Sequence, residues 1–258
     1  MNAVRVIAAA FRLQLAITRR SPGHLMILLT SPLFSVIFLS LVVSGERSGT
    51  LVNGVLAPGL IGLWLMSLDL AASIIEEERW GGRMELLVAS LTPVSLVVFG
   101  RIGVVILAGA LTFFESWLVA VVGFGVDVPL ERPGVFVVAI LATCFAMAGT
   151  ATLLAAVFIK SRALHVFQNA LTYPFYILGG VLVPVALLPG WLEPISRVVF
   201  LSWSADLLRG SMSGDLPDSW PAWVAVTVGL GAAALVAGFL LINRIIDQSR
   251  ETAQVGHS

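Results

Sequence analysis

The amino-acid sequence predicts an all-α integral membrane protein with six transmembrane helices in a single domain, residues 1–258. Of the 258 residues, 58% are hydrophobic and only 12% are charged, about half the charged share of an ordinary soluble domain. Six apolar runs are long enough to cross a bilayer as helices, and none shows the short alternating segments of a membrane β-barrel. The runs cover residues 25–43, 55–75, 94–124, 135–159, 166–185 and 223–242.

The charges predict an orientation. Fifteen Lys and Arg balance fifteen Asp and Glu, so no global field attracts nucleic acid, and we expect no nucleic-acid partner. With both termini inside, eleven of the fifteen cations fall in cytoplasmic segments. Because Lys and Arg concentrate on the cytoplasmic side, we expect a multi-pass protein with both termini in the cytoplasm. The run 25–43 lacks a small-residue cleavage pattern at its end, which favours a retained anchor over a signal peptide.

Residues 1–21 precede the first span and predict a helix that lies in the cytoplasmic interface. Arginines recur every seven residues and share one stripe of this helix: Arg5, Arg12 and Arg19. An apolar stripe lies beside them and consists of Val4, Ile7, Phe11 and Leu15. The alternative is a plain charged leader that only enforces topology.

The connection between spans two and three, residues 76–93, predicts a short amphipathic helix. It begins with the acidic run Glu76 to Glu78 and ends at Pro93. Its apolar side chains follow the spacing of one helix face: Met84, Leu87, Val88 and Leu91.

The connection between spans five and six, residues 186–220, is too long for a structureless loop in a compact domain. It carries Trp191, Trp203 and Trp220, and indole rings favour the membrane interface. We therefore expect short helices that dip into the outer interface or lie on it, with Leu192, Ile195 and Val199 on a protected face and Ser196 and Arg197 reachable from water.

Two acids fall inside predicted spans, Asp69 and Glu115. A carboxylate in hydrocarbon is costly, so each should face protein or water and is a candidate for the transport pathway. The structural alternative pairs Asp69 with an arginine such as Arg101, and has Glu115 snorkelling outward or hydrogen-bonded to hydroxyls.

The fifth run is interrupted by Pro174, Gly179, Gly180 and Pro184. Such residues mark a break that lines a cavity, but they are also common in membrane helices generally. Both interpretations stay open at this point.

The sequence shows no P-loop, so we expect no ATP hydrolysis by that route in this chain. A P-loop needs a lysine followed by Ser or Thr after a glycine, and the only lysine, Lys160, follows Phe158 and Ile159. Three scattered histidines form no recognisable metal motif, and the single cysteine, Cys144, allows no intrachain disulfide. We predict no catalytic residue and no metal ligand.

Two segments resemble the type-2 ABC transporter permeases of bacterial drug and polysaccharide exporters, including the daunorubicin-type multidrug exporters. Residues 76–101 are similar to the family segment E-x-x-x-G-T-x-E-x-L-x-x-[ST]-P-[VL]-S, although Arg83 replaces the usual threonine. The matching positions are Gly82, Glu85, Leu86 or Leu87, Pro93 and Ser95. Residues 179–210 resemble the family's outer segment at Gly180, Pro184, Leu188, Pro189, Trp191, Leu192 and Arg209.

The resemblance implies a dimer of permeases in the bacterial plasma membrane, as a homodimer or a related heterodimer, with two separate ATP-binding subunits. ATP and Mg²⁺ would be bound by those subunits, so this chain would hold no cofactor. Coupling to the ATPase would use Gly82, Arg83, Met84, Glu85, Leu87 and Val88. The translocation pathway would involve Asp69, Glu115, Gly179, Gly180 and Pro184. The outer gate would involve Pro189, Trp191, Leu192 and Arg209.

Few charges within the spans and abundant Phe, Leu and Val favour an apolar or amphipathic cargo, such as a drug, an antibiotic or a lipid-like product. The alternatives are a permease for polysaccharide or ions, and a membrane scaffold or immunity protein that transports nothing.

Overall fold

A computed structural model of the chain describes residues 3–20, 22–44, 51–80, 94–160 and 164–255. Within these ranges the chain is almost entirely helical. The helices are α1 (Ala3–Arg20), α2 (Pro22–Ser44), α3 (Leu51–Trp80), α4 (Val94–Leu118), α5 (Pro133–Lys160), α6 (Leu164–Leu178), α7 (Glu193–Val198), α8 (Phe200–Ser213) and α9 (Trp220–Val255). The described residues thus confirm the all-α fold class.

Four of the described helices are long and apolar enough to cross a membrane. These segments are Leu51–Asp69, Val94–Gly123, Pro133–Ile159 and Trp220–Gln248, and they confirm four of the six predicted spans. The predicted spans 25–43 and 166–185 coincide with α2 and α6, whose apolar lengths within the described residues are shorter. The complete six-span layout therefore stays a prediction.

The helix of the fifth predicted span ends at Leu178, earlier than the hydrophobic run suggested. Gly180 has a φ of 63°, a left-handed conformation that glycine adopts without a Cβ penalty. Its N–H binds the Ile177 carbonyl at 3.1 Å, and the Val181 N–H binds the Tyr176 carbonyl at 3.1 Å. This Schellman arrangement terminates α6, and the chain then forms a 3₁₀ turn at Val185–Leu187.

The core of the bundle forms around α3, which packs against α2, α4 and α5. Trp64 of α3 is 1% exposed, and its ring stacks on Phe175 of α6 with centroids 4.3 Å apart. Small residues bring α5 and α9 into close contact. A Cβ added at Gly231 of α9 would lie 2.4 Å from the Ala146 Cα of α5, so the two backbones touch as membrane helices do at small-residue interfaces.

Helix α1 packs lengthwise on α4. Its buried residues recur every four positions and are Val6, Ala10, Gln14 and Thr18. Val4, on the stripe predicted to face the membrane interface, is 74% exposed, and the contact of that stripe with the membrane stays a prediction. The arginine stripe is exposed as predicted. Small side chains let helices approach closely. The buried stripe, which contains Ala10 and Thr18, therefore faces the bundle.

The region 186–220 forms short helices as predicted, namely α7 and α8 after the 3₁₀ turn. One part of the predicted face of α7 is wrong: Ser196, expected to be reachable from water, is fully buried. Leu192 and Val199 are half-buried, and Ile195 is 47% exposed. The small Ser196 allows α7 to lie close to the protein, while the larger apolar side chain turns outward.

The predicted coupling segment 76–93 begins later than expected, because α3 continues to Trp80. The coupling residues Gly82, Arg83, Met84, Glu85, Leu87 and Val88 lie outside the described residues.

Candidate functional site

Two networks of side-chain hydrogen bonds that join distant helices lie at the two ends of this apolar bundle. One end carries α1, the start of α4 and the end of α3. The other carries α7, α8 and the starts of α3, α5 and α9, and the helices α3 and α4 connect the two ends.

At the first end, a buried arginine joins α1 to α4. Arg101 of α4 is 2% exposed, and its Nε donates a hydrogen bond to Gln14 Oε1 of α1 at 2.7 Å. The Gln14 amide nitrogen in turn donates to the Thr18 hydroxyl at 3.4 Å. A buried charge must be paired to be tolerated, so this contact constrains where α1 can lie.

The backbone of α1 also fits closely over the neighbouring residue Gly100. A Cβ added at Gly100 would lie 2.7 Å from the Ile7 carbonyl oxygen and 2.9 Å from the Ala10 Cβ. Any larger residue there would push α1 away from α4. We call Gln14, Thr18, Gly100 and Arg101 the α1 junction.

The two acids inside the spans have different surroundings. Asp69 is half-buried on α3 and takes part in an interaction there; its pairing with Arg101 stays a prediction. Glu115 of α4 lies beside the Ser31 hydroxyl of α2, but the two do not form a well-aligned hydrogen bond. Glu115 Oε2 and Ser31 Oγ are both buried without a hydrogen-bond partner. The hydrogen-bonding capacity of this buried pair between α2 and α4 is therefore not fully used.

At the second end, Arg209 of α8 ties three segments together. Its Nη2 donates to the Gly180 carbonyl, at the terminated end of α6. Its Nε donates to Asn53 Oδ1 of α3 at 2.5 Å, and its Nη1 contacts Asp206 Oδ1 at 3.3 Å. Charge-assisted bonds of this kind are among the stronger ones in proteins, so α3, α6 and α8 are held together here.

Asp206 extends this network to α7. Its second carboxylate oxygen binds Arg197 Nη1 at 2.8 Å. The Arg197 guanidinium lies 4.8 Å from the Trp203 ring centroid, and Trp203 Nε1 donates to the Arg197 carbonyl at 2.9 Å. We call Asn53, Arg197, Asp206 and Arg209 the α8 clamp.

The charge in the α8 clamp persists despite its burial. Desolvation lowers the pKa of the Arg209 guanidinium, and the Asp206 carboxylate beside it opposes that shift. Arginine remains protonated in proteins, so the clamp contains two cations around one carboxylate.

Gly179 explains how closely α8 approaches α6. A Cβ added there would lie 2.8 Å from the Leu201 Cβ and 2.4 Å from the Phe175 carbonyl oxygen. The predicted pathway residues Gly179 and Gly180 therefore lie at the α8 clamp, together with Arg209.

The other residues predicted for the pathway and gate lie around this network. Pro184 is half-buried and precedes the 3₁₀ turn. Pro189 is exposed, Trp191 is 72% exposed, and Leu192 is half-buried at the start of α7. The structure thus brings Arg209 and the two glycines together and leaves Pro189 and Trp191 on the exposed side.

Sequence reasoning missed six residues of these sites: Gln14, Thr18, Ser31, Asn53, Gly100 and Asp206. The spacing of Asp206 and Arg209, three residues apart on one helix, was a usable signal for a local ion pair. Among the described residues, no three His, Cys, Asp or Glu side chains lie close enough to hold a metal ion.

Comparison with known families gives one result. The family described as "ABC-2 type transporter" matches residues 5–213, from α1 to the end of α8. No curated protein and no solved structure matches the chain.

Proposed function

The chain belongs to the ABC-2 type transporter family, and on that premise we propose that it is the permease of an exporter that moves an apolar or amphipathic compound out of the cell. Membership makes it a membrane component of an ABC transporter, and the family implies an ABC ATP-binding subunit as partner. The export direction, the cargo and the pairing of two permease copies are part of the proposal.

The α1 junction is the observation that carries this proposal. An ATPase in a separate chain must transmit its motion to the spans through contacts at one end of the bundle. The segment 76–93 connects α3 to α4, and α1 is fixed to α4 only eight residues beyond Pro93 by the buried Arg101. A movement of α1 and a movement of the connecting segment would therefore both displace the same helix, α4.

In this mechanism the coupling residues Gly82, Arg83, Met84, Glu85, Leu87 and Val88 dock on the ATP-binding subunit. ATP binding by that subunit favours one of two permease conformations by binding to it better. Mg²⁺ and ATP stay with the partner, and this chain contributes movement rather than hydrolysis.

The α8 clamp serves as the outer gate of the resting permease. Arg209 holds the end of α6 against α3 and α8, so opening requires these charge-assisted bonds to break together. Pro184, Pro189, Trp191 and Leu192 form the turns that would move when the gate opens. Asp69 and Glu115 mark the polar points of the route between the two ends.

The proposed orientation places the α1 junction in the cytoplasm and the α8 clamp outside, in the bacterial plasma membrane. It is tested with single cysteines in a Cys144→Ala background. Asp218, which is exposed before α9, and Arg12, which is exposed on α1, are each replaced by cysteine. A membrane-impermeant maleimide should label the Asp218→Cys protein in intact cells and the Arg12→Cys protein only after permeabilisation. The opposite pattern would overturn the orientation.

Transport is tested with the complex of permease and ATP-binding subunit. The two chains should co-purify, and inside-out vesicles should accumulate lipophilic fluorescent dyes when ATP is present. Glu85→Arg, at the proposed docking helix, should leave insertion intact and abolish ATP-dependent uptake. Normal uptake by well-expressed Glu85→Arg protein, or absence of any ATP-binding partner, would overturn the assignment.

A further inference from the structure

A cavity of about 300 Å³ lies between α3, α4, α5, the loop that joins α4 to α5, and Met212 of α8. All of its lining residues are apolar, and four of them are aromatic: Phe113, Phe114, Trp117 and Phe136. Ala110 of α4 also lines the cavity, and its small side chain leaves much of the space free. Apolar walls of this kind gain dispersion contacts from an apolar occupant, so such an occupant would be favoured.

The mouth of the cavity is formed in part by exposed residues of a candidate membrane span, which would place it against hydrocarbon. Phe114 is 59% exposed and Trp117 is 43% exposed, although both belong to a segment that can span the membrane. Their rings stack with centroids 6.0 Å apart and form one wall of the opening. Leu130, which is 45% exposed, lies at the mouth on the loop side. A hydrocarbon chain in the bilayer can therefore reach the cavity without crossing water.

A charged lip stands beside this mouth. Residues 124–132 belong to the loop between α4 and α5. Val128 and Leu130 of this loop line the cavity. The charged side chains of the same loop are exposed, namely Asp127, Glu131 and Arg132. The loop is anchored to α8, since the Arg132 N–H donates to the Ser211 carbonyl at 2.9 Å. The site is thus apolar inside and charged at the membrane boundary.

We propose that this cavity binds one acyl chain of a membrane phospholipid, whose phosphate lies near Arg132 at the loop. The occupant is a lipid of the surrounding bilayer because the mouth faces hydrocarbon and the lip carries charges of both signs. A phospholipid supplies an apolar chain and a charged headgroup in that order along its length. The site is separate from the α8 clamp and from Glu115, so it does not depend on the proposed export function.

The binding test uses purified full-length protein and native mass spectrometry after stepwise delipidation. Wild-type protein should retain one phospholipid per chain. Ala110→Phe fills the cavity from within and should reduce retention about tenfold or more, because each methylene excluded from an apolar site weakens binding about fourfold. The matched control, Ala225→Phe, makes the same change at an exposed position of α9 and should retain the lipid.

Leu130→Trp narrows the mouth of the cavity from the loop side. It should also reduce phospholipid retention, and it tests the proposal if the Ala110→Phe protein does not fold. In vesicles of phosphatidylethanolamine and phosphatidylglycerol, a phosphatidylglycerol with a diazirine at the end of its acyl chain should crosslink to the peptide that contains Phe114 and Trp117. Arg132→Gln should reduce this crosslink while leaving the protein folded.

Three results would overturn the proposal: wild-type protein that retains no lipid, equal retention by wild-type protein and every folded cavity variant, or a retained adduct whose mass matches no membrane phospholipid. The last result would identify a lipophilic cargo as the occupant. Crosslinks spread evenly over α4 and α9 would also contradict a specific acyl-chain site.

Discussion

The hydrogen bond between Gln14 and Arg101 makes a quantitative prediction about how firmly α1 is held. Both side chains are at most 2% exposed, and the bond is 2.7 Å long. A hydrogen bond to a charged group contributes about 1.5–3 kcal/mol. Gln14→Leu keeps the side-chain size but removes the acceptor, so we expect it to lower the free energy of unfolding by about that amount, or about 10- to 150-fold in the folding equilibrium.

A double-mutant cycle isolates this pair from the other contacts of the arginine. Gln14→Leu, Arg101→Met and the double variant are unfolded by SDS titration in detergent micelles, followed by circular dichroism. The interaction energy of the pair should be about 1.5–3 kcal/mol. Arg12→Met is the matched control, since Arg12 is exposed on the same helix, and it should change stability by less than about 0.5 kcal/mol.

The same variants test whether the α1 junction transmits motion. In the complex with the ATP-binding subunit, Gln14→Leu should lower the ATP-dependent transport rate while ATP hydrolysis continues. An interaction energy below about 0.5 kcal/mol, or equal losses for Arg12→Met and Arg101→Met, would refute the reasoning about this contact.

Three further predictions concern packing, the clamp and the buried acid. Gly231→Leu should prevent α9 from docking and cost about 3 kcal/mol or more, whereas Gly229→Leu, where an added Cβ meets nothing within 4 Å, should melt near the wild-type temperature. Arg209→Met should cost at least about 1.5 kcal/mol and raise basal ATPase activity of the complex, while Arg244→Met, at an exposed position of α9, should do neither; unchanged ATPase activity of the Arg209→Met protein would contradict the gate. The Glu115→Leu protein should melt at a higher temperature than wild type, because the substitution removes a buried oxygen that has no hydrogen-bond partner. It should also export more slowly than wild type. An unaltered export rate would exclude Glu115 from the pathway.

Hydropathy was sufficient to predict the helical class and four spans, because a spanning helix must be apolar over about 20 residues whatever its neighbours are. The end of α6 was also visible in the sequence, since Gly179 and Gly180 are residues that stop helices. The boundary differed because the apolar run continues to Val185 after the helix has ended at Leu178. The hydrophobicity of a segment indicates that it is buried in lipid or protein. It does not indicate where the helical backbone hydrogen bonds end.

The faces of the short helices were less predictable. In α1 the buried stripe includes Gln14, and in α7 Ser196 is buried while Ile195 is exposed. A soluble helix turns its apolar face toward the protein, but lipid is as apolar as a protein core. Small and polar residues therefore mark the protein-facing side of a membrane helix as often as large apolar ones do.

The sequence by itself determined that the chain is a helical membrane protein, and its motifs singled out Arg209 and the glycines before it. Only the tertiary structure decided what these residues contact. Arg209 binds Asn53 across 156 positions and Gly180 across 29, and Arg101 binds Gln14 across 87. Periodicity describes one helix at a time, so contacts between distant helices follow from how the helices pack, which depends on the close approach that small residues allow.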